Sequence, residues 1–190
     1  MKSAATMQEC LGDFEMVWTG PTVGSVSMRR TDQALIEVVS AARQSLLVVS
    51  FAVYRVASVH EAINAAIDRG VNVCMCIESD DAGASHIRYD ARRLLGDALV
   101  DRSRIYVWPE ESRPTGTAGR TGVMHAKCAV ADEAQLFLSS ANLTQHAMDL
   151  NIELGVLVHG GPLPGRVMAQ FEGLIRSRAL RKIRPQRSGT

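Results

Sequence analysis

The chain has 190 residues, of which 46% are hydrophobic and 22% charged, and its formal net charge is +1. That length supports one domain with a substantial core and no need of disulfide staples. The composition excludes a disordered or fibrous chain, and the near-neutral balance gives no whole-molecule field for drawing in nucleic acid.

In chain order, residues 1–30 read as an irregular segment with turn formers at Gly20-Pro21 and Gly24-Ser25. Met1 to Gly20 has acids and no continuous apolar stretch, so no signal peptide is expected. No run approaches the ~18 apolar residues of a membrane span, and no membrane partner is expected. Ala34, Leu35, Val38, Val39 and Ala42 recur at helical spacing behind Thr31, a candidate cap. Ser45–Phe51 is an apolar run of β-formers and predicts a buried strand. Ser58-Val59-His60-Glu61 predicts a capping box opening a helix that Gly70 ends, and Val71–Ile77 predicts a second buried strand. A third helix fits Ser85–Leu99, and a short strand fits Arg104–Trp108. Helices alternating with strands favour a mixed, largely parallel sheet with helices on both faces, an α/β architecture.

Residues 109–123 break this pattern with Pro, Gly, Thr and Ser. They read as a mobile loop, either a lid that brings Arg113 and Arg120 to a phosphate or plain disorder. Strands resume at Met124–Ala131, Leu136–Ser139 and Asn151–Val158, with a tight hairpin at Asp132–Gln135 and a last helix at Leu163–Arg178. Arg166, Arg176, Arg178, Arg181, Lys182, Arg184 and Arg187 face one acid, Glu172, so the end of the chain, with a tail at 179–190, is basic. Such an end grips phosphates or is a solvated helix face. Cys10, Cys74, Cys76 and Cys128 form no C-x-x-C pair; core packing and a reducing, cytoplasmic setting are expected.

The chemistry concentrates in Met124–Asn142. On a strand, His125 and Lys127 point to one face, and an anion between them relieves their mutual repulsion. Ser140 and Asn142 are again two apart and offer donors to phosphate oxygens. Glu153 stands between apolar residues and needs a partner, for which an imidazole N–H is suited; it would then orient His125.

The run His125-x-Lys127, Asp132, Ser139-Ser140-x-Asn142 resembles the HKD signature of the phospholipase D superfamily, with Ser139 where glycine is frequent. The resemblance implies an α-β-α sandwich and a metal-independent phosphodiesterase without cofactor. His125 would be the covalent nucleophile and Lys127 the phosphate ligand, supported by Ser140, Asn142 and Glu153. Asp132 is expected to support the hairpin rather than touch substrate. A second imidazole is needed as general acid, and the chain has one motif, so a homodimer pairing two His125 side chains is expected. Trp18-Thr19-Gly20-Pro21, Arg29-Arg30-Thr31, Ser50–Tyr54 and Arg69–Val73 resemble the phospholipase D-like proteins of DISARM anti-phage systems, over about residues 17 to 178. This implies action on or near invading DNA beside other defence-system proteins. Three readings follow: a nuclease on DNA or RNA, a phospholipid-acting enzyme, and a non-catalytic phosphate-binding subunit.

Overall fold

The computed structural model describes residues 12–24, 26–50, 56–78, 95–117 and 119–183. Along the chain lie β1 (Asp13–Thr19), β2 (Arg29–Arg30), α1 (Thr31–Ala41), β3 (Ser45–Ser50), α2 (Ala57–Asp68) and β4 (Asn72–Ile77). They are followed by α3 (Asp97–Arg102), β5 (Arg104–Val107), β6 (Cys128–Ala131), β7 (Gln135–Ser139), α4 (Gln145–Asp149), β8 (Glu153–His159), α5 (Leu163–Arg176) and β9 (Arg181–Lys182). The strands form one sheet in the order β2-β1-β8-β7-β6-β3-β4-β5-β9.

Alternation along each strand divides the core into two layers. Leu46, Val48, Val73, Met75, Ala129, Phe137 and Leu157 pack with α1 and α2 on one side. Leu47, Val49, Cys74, Cys76, Cys128, Val130 and Leu136 pack on the other side with Met168, Phe171 and Leu174 of α5. Helices therefore cover both faces of a mixed sheet, as expected. Cys74, Cys76 and Cys128 are unpaired thiols within the second layer. Helix α5 stops short of the β1–β8–β7 end of that face. There Phe14, Met16, Leu138 and Leu154 are 55, 39, 45 and 54% exposed.

Several local expectations are corrected. Five of the eight described strand pairings are antiparallel, so the sheet is mixed without being largely parallel. The helix–strand alternation that favours parallel pairing ends at β5, and the tight β6–β7 hairpin must return antiparallel. Residues 1–30 are not irregular throughout: Asp13–Thr19 pairs with β8 along its whole length, from Asp13 opposite His159 to Thr19 opposite Glu153. Asp13 and Glu15 mask this strand in the sequence, and the partner strand stabilises it. Thr31 does not cap α1; its buried hydroxyl accepts a 2.7 Å hydrogen bond from Thr19. Helix α2 begins at Ala57, one residue before Ser58, with no side-chain cap. Most of the helix expected at Ser85–Leu99 lies outside the described residues; Gly96, at φ +82°, separates Leu95 from α3.

The segment 109–123 is shaped along its described residues. Glu110–Ser112 forms a 3-10 turn, Thr115 pairs with Thr121, and Gly122 N donates to Pro114 O at 3.0 Å. From the basic tail, Arg181–Lys182 adds β9 to the edge of β5, while 184–190 lie outside the described residues.

Candidate active site

The parallel strands β3 and β4 end at Ser50 and Ile77, and β6, antiparallel to β3, begins at the same edge. Such carboxyl edges are where open α/β sheets place ligands. His125 and Lys127 lie on the extended segment leading into β6. The ladder reaches one pair further than the strand, since Ser139 N donates to Lys127 O at 3.2 Å. His125 is exposed, whereas Lys127 is only 6% exposed, and its Nζ donates to His125 O at 2.8 Å. Burial holds the Lys127 ammonium below the usual lysine range, and the charge of Glu153 opposes that fall. A cation kept in a poorly hydrated position is prepared for an anion.

Glu153 opens β8 and is 9% exposed. Its carboxylate accepts hydrogen bonds from the Ser140 hydroxyl and from Asn151 Nδ2, the latter at 2.9 Å. Ser140 Oγ in turn accepts from Leu154 N at 3.1 Å. The expected placements are thereby refined: the Ser140 proton goes to Glu153 rather than outward, and the carboxylate braces the Ser140–Asn142 turn. The buried Oδ1 of Asn142 has no hydrogen-bond partner. The turn itself is tied to β3, because Leu143 N donates to the buried Ser50 hydroxyl at 3.2 Å.

Ser139 stands where the motif often has glycine, and the fold accommodates it. Its hydroxyl accepts from Ala141 N at 3.1 Å, and its Cβ lies where Gly155 has none. A Cβ at Gly155 would meet Leu138 O at 2.5 Å and Ser139 Cβ at 2.9 Å.

Asp132 lies at the far end of β6 from His125, away from this edge. Its carboxylate accepts from the backbone N–H groups of Arg43, Gln44 and Ser45 at 2.7, 2.8 and 2.8 Å. It clamps the start of β3 to the hairpin and lies apart from the reacting residues. Burial acts to raise its pKa, but the three N–H donors together outweigh burial and leave the carboxyl below the usual range.

Arg113, expected near phosphate, has a side chain 1% exposed and paired with Glu78. It also donates to Trp108 O at 3.0 Å and Gly122 O at 3.3 Å. Nonpolar surroundings and a carboxylate partner make it an internal fastener. Arg120 is exposed on the turn closed by Thr115 and Thr121. Glu78 escapes sequence reasoning, yet it also accepts from Met124 N and so fixes the backbone beside His125. Its signal is an acid placed directly after a buried parallel strand. Among the described residues, no three His, Cys, Asp or Glu side chains gather as a metal-ligand set. No helix among them is long and apolar enough to cross a membrane.

A family model described as cardiolipin synthase, PLD-like domain, matches residues 35–175. The DISARM protein DrmC of Bacillus paralicheniformis is 29% identical over 154 residues, covering 80% of this chain. The matched region spans 60% of that relative's own length. Among solved structures, the phospholipase D family member Nuc of Salmonella typhimurium superposes with a TM-score of 0.62 at 15% identity, covering 91% of this chain and 99% of Nuc. NucT of Helicobacter pylori gives 0.64 at 17% identity, covering 87% and 98%. These two likenesses concern the fold. With the matching family model extending over most of the sequence, the chain belongs to the phospholipase D-like domain family.

Proposed function

We propose that the chain is a phosphodiesterase that cleaves nucleic acid, with DNA as its principal substrate, by covalent catalysis at His125. The observation that carries this reading is the buried Lys127 beside an exposed His125 at the carboxyl edge of β3 and β4. In the first step an imidazole nitrogen of His125 donates its lone pair to phosphorus. The P–O bond to the leaving oxygen breaks, and a second imidazole gives that oxygen a proton. Water then attacks the phosphohistidine and returns a proton to the second imidazole, which frees His125. Lys127 and the Asn142 amide balance charge on the non-bridging oxygens. Glu153 acts through Ser140, as a positioning residue.

The second imidazole is His125 of the partner subunit in a twofold dimer. The uncovered apolar face of β1, β8 and β7 supports this reading: Leu154, one residue from Glu153, belongs to it. The short single-motif chain and its basic stretch from Arg166 onward support nucleic acid as substrate. The DISARM relative supports work in defence alongside other proteins of such a system. Arg120, exposed on its turn, is suited to a backbone phosphate away from the scissile one.

The test is cleavage of labelled single- and double-stranded DNA and RNA in excess EDTA, with His125→Ala alongside. Cleavage by wild type in EDTA that disappears in the variant is expected. A folded dimer that cleaves none of these substrates overturns the proposal.

A further inference from the structure

A cavity of about 280 Å³ lies directly beside His125, on the α5 side of the sheet. Trp108, Met124, Phe171, Leu174 and Leu180 line it together with His125. Met124 and Leu180 are 8 and 5% exposed and belong to the buried layer against which Trp108, Phe171 and Leu174 pack. The indole is braced: the Arg113 guanidinium lies 5.8 Å from the Trp108 ring centroid, within cation–π range. Glu78 holds that guanidinium and the Met124 N–H together. The wall is therefore assembled before any ligand arrives.

Position and size restrict what fits. A phosphodiester with phosphorus at His125 brings one of its own substituents to the cavity mouth. At roughly 30 Å³ for each water-sized group, the space holds about nine, the size of one heterocycle. A pair of long acyl chains is several times larger. Apart from His125 and the Trp108 N–H, these side chains offer carbon, the Met124 sulfur and an aromatic face, which suits stacking more than reading a hydrogen-bond pattern.

We propose that this cavity receives the base of the nucleotide adjoining the scissile phosphate, making the enzyme a single-strand nuclease indifferent to base identity. The inference rests on the nuclease reading of His125 and goes beyond it by naming the strand state and the second binding element. A base held in a duplex must leave its stack and its pair before entering, so duplex is the poorer substrate. Trp108 acts here as a base-binding residue and Glu78 as a positioning residue.

The experiment compares kcat/KM on single-stranded DNA, the matching duplex, and a single strand carrying one abasic nucleotide at a defined position. Wild type, Trp108→Leu and Ala179→Phe are used; the last introduces a ring at the lining residue Ala179 without removing any existing wall side chain. Wild type is expected to cleave the single strand about tenfold or more faster than the duplex. It should also lose roughly tenfold to a hundredfold at the phosphate next to the abasic position, the effect of one stacked base. Both variants should show a smaller abasic penalty than wild type. Equal wild-type cleavage of intact and abasic strands overturns the cavity assignment while leaving the nuclease reading intact. An abasic penalty undiminished in both variants also overturns it. Failure to cleave any strand overturns both readings together.

Discussion

Asp132→Asn separates the charge of the β6–β7 hairpin from its shape. Asp132 and Glu133 both have positive φ, +50° and +55°, as the central residues of a type I′ turn require. Asparagine tolerates that conformation about as well as aspartate, so the substitution adds little backbone strain. What changes is the clamp. The carboxylate receives three N–H bonds of 2.7–2.8 Å, two at exposed backbone and one at the partly buried Ser45. An amide keeps one acceptor oxygen and turns a donor toward the other N–H groups. Hydrogen bonds to a charged group contribute about 1.5–3 kcal/mol each, with exposed ones at the low end, so we expect a loss of about 2 kcal/mol. For a chain of this size that lowers Tm by roughly 4–8 °C. The pH dependence has a fixed sign. A carboxyl held below its ordinary value contributes fully above the unfolded pKa of about 3.9, and loses that contribution as pH falls through the folded value. Urea unfolding followed by far-UV circular dichroism at pH 7, 5 and 3.5 should show an equal deficit at the first two and a smaller one at the third. A variant as stable as wild type at pH 7, or a deficit undiminished in acid, refutes the clamp.

Two predictions concern the site. Lys127 binds phosphate as a cation, and burial lowers its pKa, so kcat/KM should fall on the alkaline side earlier than for an ordinary lysine. Lys127→Arg should move that limb upward, and Lys127→Met should lose about a hundredfold or more; identical alkaline limbs in wild type and Lys127→Arg would refute the assignment. Met16→Glu combined with Leu154→Glu places charge on the uncovered apolar face, and light scattering should report a monomer that has lost cleavage. A surviving dimer, or a monomer with the full wild-type rate, removes that face from the proposed interface.

Much of the site is legible in sequence because its residues are local. His125, Lys127, Ser140 and Asn142 fall within one hairpin, where strand spacing alone fixes which side chains are neighbours. Glu153 is legible as a carboxylate among apolar residues, but its partner is not: the choice of Ser140 and Asn151 depends on how β8 meets the β7 turn. Arg113 shows the opposite limit. In a stretch rich in Gly, Pro and Thr it reads as solvent-facing, and only the approach of Glu78 across the sheet edge makes it internal. Strand β1 is hidden for a related reason, since Asp13 and Glu15 break its apolar alternation and a seven-residue register with β8 supplies what propensity lacks. Gly155 reveals its role only through proximity to Ser139 in the adjoining strand.

The turn between Pro114 and Gly122 is stitched at its neck, so its tip carries no tension from the sheet. A backbone break at exposed Thr117 would leave a long piece ending there and a short piece holding the whole reacting motif. These pieces are interleaved. The short piece supplies β6, β7 and β8 between β3 and β1, and its β9 lies outside β5 of the long piece. Three strand interfaces join the two, β1 with β8, β3 with β6, and β5 with β9. A nicked molecule therefore remains one body, with its nucleophile on one polypeptide and much of the scaffold that positions it on the other.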